Sequence, residues 1–99
     1  MKALVDIRHS NNYSLVVSNR GELHLFYQRG IKYLYNIYTS DRDMLLGASI
    51  ADKVIGRAAA AIMILGGVKR VYADTISDLA LQLFSKSDIE VCYGQTVPH

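Results

Sequence analysis

The sequence is short of the residues that staple or divide a chain. It holds one cysteine, Cys92, and one proline, Pro98, in 99 residues. A lone cysteine excludes an internal disulfide and most thiolate metal sites, and it fits a reducing cytoplasm. No repeat, low-complexity tract or Pro/Ser-rich linker interrupts the chain, so residues 1–99 are expected to form a single domain around one core. Long apolar runs are missing too. The longest, Ala58 to Leu65, is far too short to span a membrane, and Arg57 stands just before it. The opening MKALVDIRHS has no apolar stretch long enough for a signal peptide. Charge of one sign is also scarce: the net charge is +2, and the basic residues are scattered. That argues against an electrostatic nucleic-acid binder. The expectation is a soluble, cytoplasmic protein with neither nucleic acid nor membrane as partner.

What is present is ordinary for a globular protein, with 51% apolar and 20% charged residues. Two β-rich runs, residues 13–18 (YSLVVS) and 22–27 (ELHLFY), flank Asn19-Arg20-Gly21 and predict a hairpin that ends at Gly30. Ile31, Leu34, Tyr35 and Tyr38 recur at i, i+3, i+4 and i+7, which predicts a helix. Residues 39–43 (TSDRD) break it before a short MLL segment. The stretch GASIADKVIGRAAAAIMILGG, residues 47–67, then reads as one helix. Ser49 with Asp52 three residues on reads as a capping box, and Gly66-Gly67 as a stop. Two apolar stripes, Ile50/Val54/Ala61/Leu65 and Ile55/Ala59/Ile62, predict burial on more than one side. VKRVYA (68–73) and IEVCYG (89–94) read as strands. Between them Ser77 and Asp78 cap a helix carrying Leu79, Ala80, Leu83 and Phe84. Strands alternating with helices predict parallel pairing, and hence an α/β fold with a mixed sheet and helices on both faces.

Most sites suggested by individual residues fail on inspection. G-A-S-I-A-D-K-V is not a P-loop: Asp52 stands where the second glycine belongs and would repel phosphate, and Val54 cannot help hold magnesium. His9, His24 and His99 are far apart and belong to no H-x-x-x-H or H-x-E motif, so no metal site and no cofactor are expected. Cys92 lies in an apolar run and reads as a buried, inert thiol. Three of the seven tyrosines fall on the first helix, unlike the aromatic–basic interleaving of an RNA-binding sheet, and read as core or subunit packing.

One oddity remains. Lys53 and Arg57, spaced i, i+4, would share a face near the start of the 47–67 helix, where the dipole and free N–H groups favour anions. Cations there suggest an acidic side chain, an anionic ligand or another subunit. The plainer reading is that Asp52 caps while Lys53 and Arg57 reach solvent.

These same residues carry a resemblance. G-A-S-I-A-D-K-V-I-G-R-A-A-A-A, L-G-G-V-K-R-V-Y-A-D and I-S-D-L-A, with N-R-G-E-L before them and C-Y-G-Q-T-V-P after, resemble an uncharacterised prokaryotic family with a cytidine-deaminase-like fold. The resemblance implies a three-layer α/β/α sandwich related to nucleoside and base deaminases. In those enzymes the site lies between two helix N-termini carrying H-x-E and P-C-x-x-C, which hold zinc and a proton-handling Glu. Here the corresponding positions offer Ala51-Asp52-Lys53 and Thr75-Ile76-Ser77-Asp78, so zinc-dependent deamination is not expected. The family pattern also implies a continuation beyond the V-P segment into an Asn-Arg stretch and a Cys-Pro motif. This sequence stops at Val97-Pro98-His99, which leads us to expect a domain lacking its C-terminal element, with exposed surface favouring a homo-oligomer.

Three functional readings follow, in order. The first is binding of a small anionic or nucleotide-like ligand between the helix starts by Ser49, Asp52, Lys53, Arg57 and Ser77. The second is a structural or oligomerisation module whose charges pair across subunits. The third is a metal-independent enzyme with Lys53 as base or Schiff-base nucleophile and Asp52 beside it.

Overall fold

The computed structural model describes residues 2–11, 13–27 and 31–98; Gly30 and His99, given roles above, lie outside the described residues. The chain runs α1 (Lys2–Asn11), β1 (Leu15–Asn19), β2 (Glu22–Phe26), α2 (Ile31–Ser40), a 3-10 turn (Arg42–Met44), β3 (Ser49–Ile55), α3 (Arg57–Gly66), β4 (Arg70–Ser77), α4 (Asp78–Ser85) and β5 (Glu90–Val97). The strands form one sheet in the order β2-β1-β3-β4-β5. β1 pairs antiparallel with β2 and β3, whereas β3, β4 and β5 run parallel, as the strand–helix alternation predicts. No helix of the described residues is long and apolar enough to cross a membrane.

The hairpin turns through Arg20 (φ 52°) and Gly21 (φ 80°), with Asn19 and Glu22 as the closing pair. Positive φ at both central residues is the signature of a type I′ turn, whose twist matches that of the strands. The Asn19 amide donates to the carbonyls of Asp43 (2.9 Å), Met44 (2.9 Å) and Leu46 (3.1 Å), tying the hairpin to the turn before β3.

The largest correction concerns residues 47–67. They form a strand and a helix, not one helix. Ser49–Ile55 is the middle strand, and the helix begins at Arg57, after Gly56. Ser49 is therefore no N-cap, S-I-A-D is no capping box, and Lys53 and Arg57 are not neighbours on a helix face. Position in the sheet explains the outcome. β3 is flanked by β1 and β4, with Ile50, Ala51 and Ile55 fully buried, so β-branched residues covered on both faces win over the helix preference of Ala51 and Lys53. The helical stop at Gly66-Gly67 holds: Gly67 caps α3 in the left-handed conformation at φ 79°. β4 extends further than 68–73, to Ser77, and the Ser77 hydroxyl caps α4 by accepting from the Ala80 N–H at 3.1 Å.

Two helical layers sandwich the sheet. α2, α3 and α4 cover one face, where Leu15, Val17, Leu34, Ile50, Ala60, Met63, Val71, Ile76 and Phe84 form the main core. α1, which the sequence reading did not anticipate, covers the other face over β1 and β3, packing Leu4 on Val16 and Ala51. The result is a three-layer α/β/α sandwich.

Candidate functional site

A cavity of about 410 Å³ opens at the C-terminal end of β3. There the sheet changes from parallel pairing with β4 to antiparallel pairing with β1. Crevices at such changes beyond strand C-termini are recurrent ligand positions in α/β folds. One wall is the β3–α3 segment, with Asp52, Lys53, Val54 and then Gly56 to Ala59; the other is Ile31 and Leu34 of α2, with Ser14 and Leu15 beside it. The start of α3 is uncapped by any side chain, because Gly56 has none to offer. The first intrahelical bond, from the Ala60 N–H to the Gly56 carbonyl (3.0 Å), leaves the N–H groups of Arg57, Ala58 and Ala59 ahead of it. These three residues line the cavity.

Successive strand residues point to opposite faces. Asp52 therefore shares the face of Leu15 and Ile50, toward α2 and α3, while Lys53 shares that of Ala51, toward α1. Burial pushes the Asp52 carboxyl up from 3.8 to about 7. The backbone N–H groups of Lys53 and Val54 and the Arg8 guanidinium pull it back down, and Asp74 adds a further upward push. Arg57 is exposed at the helix start, and among the described residues neither it nor Lys53 has an ion-pair partner.

Of the five residues singled out by the sequence, the fold thus brings Asp52, Lys53 and Arg57 to one cavity. Ser49 lies at the far end of β3, and Ser77 is buried as the α4 cap; neither lines the cavity. Sequence reasoning missed the α2 wall and the free N–H groups of α3. The Gly56 that leaves those groups uncapped was the available signal, since it separates the β-branched run from the alanine run.

A second group of charges sits on the α1 face of β4. Arg8, buried although charged, forms an ion pair with Asp74 and donates to the Tyr13 carbonyl at 2.9 Å. His9 Nε2 meets the other Asp74 oxygen at 2.7 Å, and its ring stands edge-on to Tyr72. Burial, with Asp74 nearby, raises the Tyr72 hydroxyl above its usual range. His24 lies apart on the hairpin, 3.7 Å from Glu22. Cys92 is exposed, contrary to the buried thiol expected, because β5 is an edge strand and α1 stops short of it. No group of three or more His, Cys, Asp and Glu that could hold a metal ion occurs among the described residues.

Known structures share this architecture. A protein of the DUF1893 family (TM1506) from Thermotoga maritima superposes with a TM-score of 0.87 at 22% identity, over 98% of this chain and 65% of that one. The present chain thus spans less than two thirds of that protein's length. A diaminohydroxyphosphoribosylaminopyrimidine deaminase/5-amino-6-(5-phosphoribosylamino)uracil reductase, also from Thermotoga maritima, superposes with a TM-score of 0.55 at 18% identity, covering 81% of this chain and 28% of that one. At these identities the likeness is one of fold, and it is consistent with a deaminase-like sandwich. No curated protein matches the chain. The family profile of TM1506, a domain of unknown function (DUF1893), matches residues 3–99, so the chain belongs to that family.

Proposed function

We propose that this domain binds a small organic anion in the cavity between α2 and α3. One observation carries the reading: the uncapped start of α3 opens onto a cavity of about 410 Å³, with Arg57 at its edge. Free N–H groups and the positive end of the helix dipole stabilise an anion. Arg57 in that place disfavours the helix alone and becomes favourable once an anion is bound. Neither H-x-E nor P-C-x-x-C occurs in the sequence, which supports binding without zinc chemistry. Catalysis by Lys53 gains no support here, since Lys53 and Asp52 belong to opposite faces of the strand.

A thermal-shift screen of carboxylates, phosphorylated metabolites and nucleotides, followed by calorimetry, tests the reading. Arg57→Glu should weaken any hit at least tenfold. The same change should leave the free protein as stable or slightly more so, by about 0.3–1 kcal/mol, because a negative charge suits the helix start. Unaltered affinity in Arg57→Glu would overturn the assignment.

Self-association has a separate observation behind it. Leu23 and Leu25 on the outer strand of the hairpin and Tyr27 just after it stand exposed, an apolar stripe at a sheet edge. If this stripe joins copies into a homo-oligomer, Leu25→Lys should lower the mass measured by light scattering; a monomeric wild type would dismiss the reading.

A further inference from the structure

The two edges of the sheet differ. β2, at one edge, carries the apolar stripe of the hairpin, whereas β5, at the other, leaves its backbone bare. The Glu90 N–H donates to the Lys69 carbonyl (3.1 Å), and the β4–β5 register then keeps one offset from Arg70↔Glu90 to Ser77↔Val97. In a regular parallel ladder the N–H and C=O of a residue point to the same side, and successive residues alternate sides. Glu90, Cys92, Gly94 and Thr96 therefore bond to β4, whereas Val91, Tyr93, Gln95 and Val97 turn their N–H and C=O groups away from the sheet.

Edge strands are usually shielded by a lysine, a proline, a bulge or a covering element. Over Val91–Val97 the chain carries no charge, proline comes only after it, and the constant register leaves no bulge. Residues 92–96 are all exposed, and no described strand pairs with the outer side of β5.

A second copy of β5 fits this edge in one antiparallel register. With a two-fold axis on Gly94, Val91 meets the partner's Val97 and Tyr93 meets the partner's Gln95, so every outward N–H and C=O is paired. An axis on Tyr93 leaves Val97 without a strand residue opposite, and an axis on Gln95 does the same to Val91. Charge is matched as well. No like charges meet, and Glu90 lies across from the uncharged Pro98 of the partner copy. Glycine on the axis puts no side chain at the centre, and valine beside valine is a favoured cross-strand pair.

We propose that β5 is the interface of a homodimer, in which two copies pair antiparallel about Gly94 and join their five-stranded sheets into one. The hairpin stripe lies at the opposite edge, so this contact is independent of the one proposed above.

A Leu25→Lys background removes the hairpin contact and isolates this one. Sedimentation equilibrium should then give the mass of a dimer. A monomer would overturn the proposal and leave the edge to a strand of another protein; if the wild type were nevertheless a dimer, the hairpin reading would stand alone. Adding Thr96→Cys reads the register. Cys92 and position 96 of the partner copy form a non-hydrogen-bonded pair with Cα atoms about 4.5 Å apart, within reach of a disulfide. Along one strand the same two positions are about 13 Å apart and cannot bond. With oxidised glutathione, a covalent dimer linked between Cys92 and the new cysteine should form at least tenfold faster than the parent chain dimerises through Cys92 alone. No faster cross-linking, or linkage only from Cys92 to Cys92, would overturn the Gly94-centred pairing. Gln95→Pro deletes an outward N–H and no bond to β4, so it should abolish both the dimer mass and the cross-link. Should that variant fail to fold by circular dichroism, the mass and the Thr96→Cys cross-link decide alone.

Discussion

Asp52 stores a dependence on pH. Its folded-state carboxyl keeps the proton to about pH 7, whereas in the unfolded chain it ionises near the ordinary value of 3.8. Between those limits the folded protein holds more protons than the unfolded one, so this group's effect on stability becomes less favourable as pH rises from about 4 to about 7. Asp52→Asn removes that effect. Relative to wild type, the variant should gain Tm at pH 8 and gain little at pH 4.5; an equal change at both would contradict the buried, proton-holding carboxyl. The residue itself was legible in the sequence, because an Asp-Lys pair inside an apolar run demands explanation. Its setting was not. Whether Asp52 and Lys53 share a face or oppose each other depends on helix or strand, and local residue preferences favoured the wrong one.

At the scale of elements, α3 ends where two glycines do different work. Gly67 supplies the left-handed cap, whereas Gly66 supplies closeness: a Cβ there would lie 2.7 Å from Leu45 Cδ1 and 2.9 Å from Leu45 Cβ. Leu45 is fully buried and has little room to yield. Gly66→Ala should therefore destabilise the domain by about 1–2 kcal/mol, despite the better helix propensity of alanine. In a Leu45→Ala background the same change should cost less or become favourable, a coupling that a double-mutant cycle by urea denaturation measures. The glycine stop, the hairpin and the Ser77 cap were all readable, since each is written in local backbone chemistry. The boundary inside residues 47–67 was not, because a strand buried on both faces loses its alternation and Gly56 is a single-residue break between two apolar runs.

The whole molecule is closed by a contact between residues 66 apart in sequence, Arg8 of α1 and Asp74 of β4. α1 also rests on the sheet through the contacts of His9 with Asp74 and Tyr72 and a small cluster around Leu4, Val16 and Ala51. Arg8→Ala should cost about 1–3 kcal/mol, since it removes the buried cation on Asp74 and leaves that partly exposed carboxylate to His9 alone. Faster hydrogen exchange in α1 than in α3 would mark the helix as the element released; unchanged stability would show the pair to be idle. This third layer escaped the sequence reading because its inward face puts Arg8 one turn after Leu4, where an apolar residue is the usual signal. The parallel half of the sheet, by contrast, followed from strand–helix alternation alone.

The exposed Cys92 has a practical consequence. It is the one sulfhydryl in a chain that also has no tryptophan. A thiol-reactive dye would therefore mark a single point on the edge strand, and one tryptophan placed at the mouth of the cavity would be its only indole donor. Energy transfer between the two would turn this domain into its own ruler, reading changes in span whenever a ligand arrives.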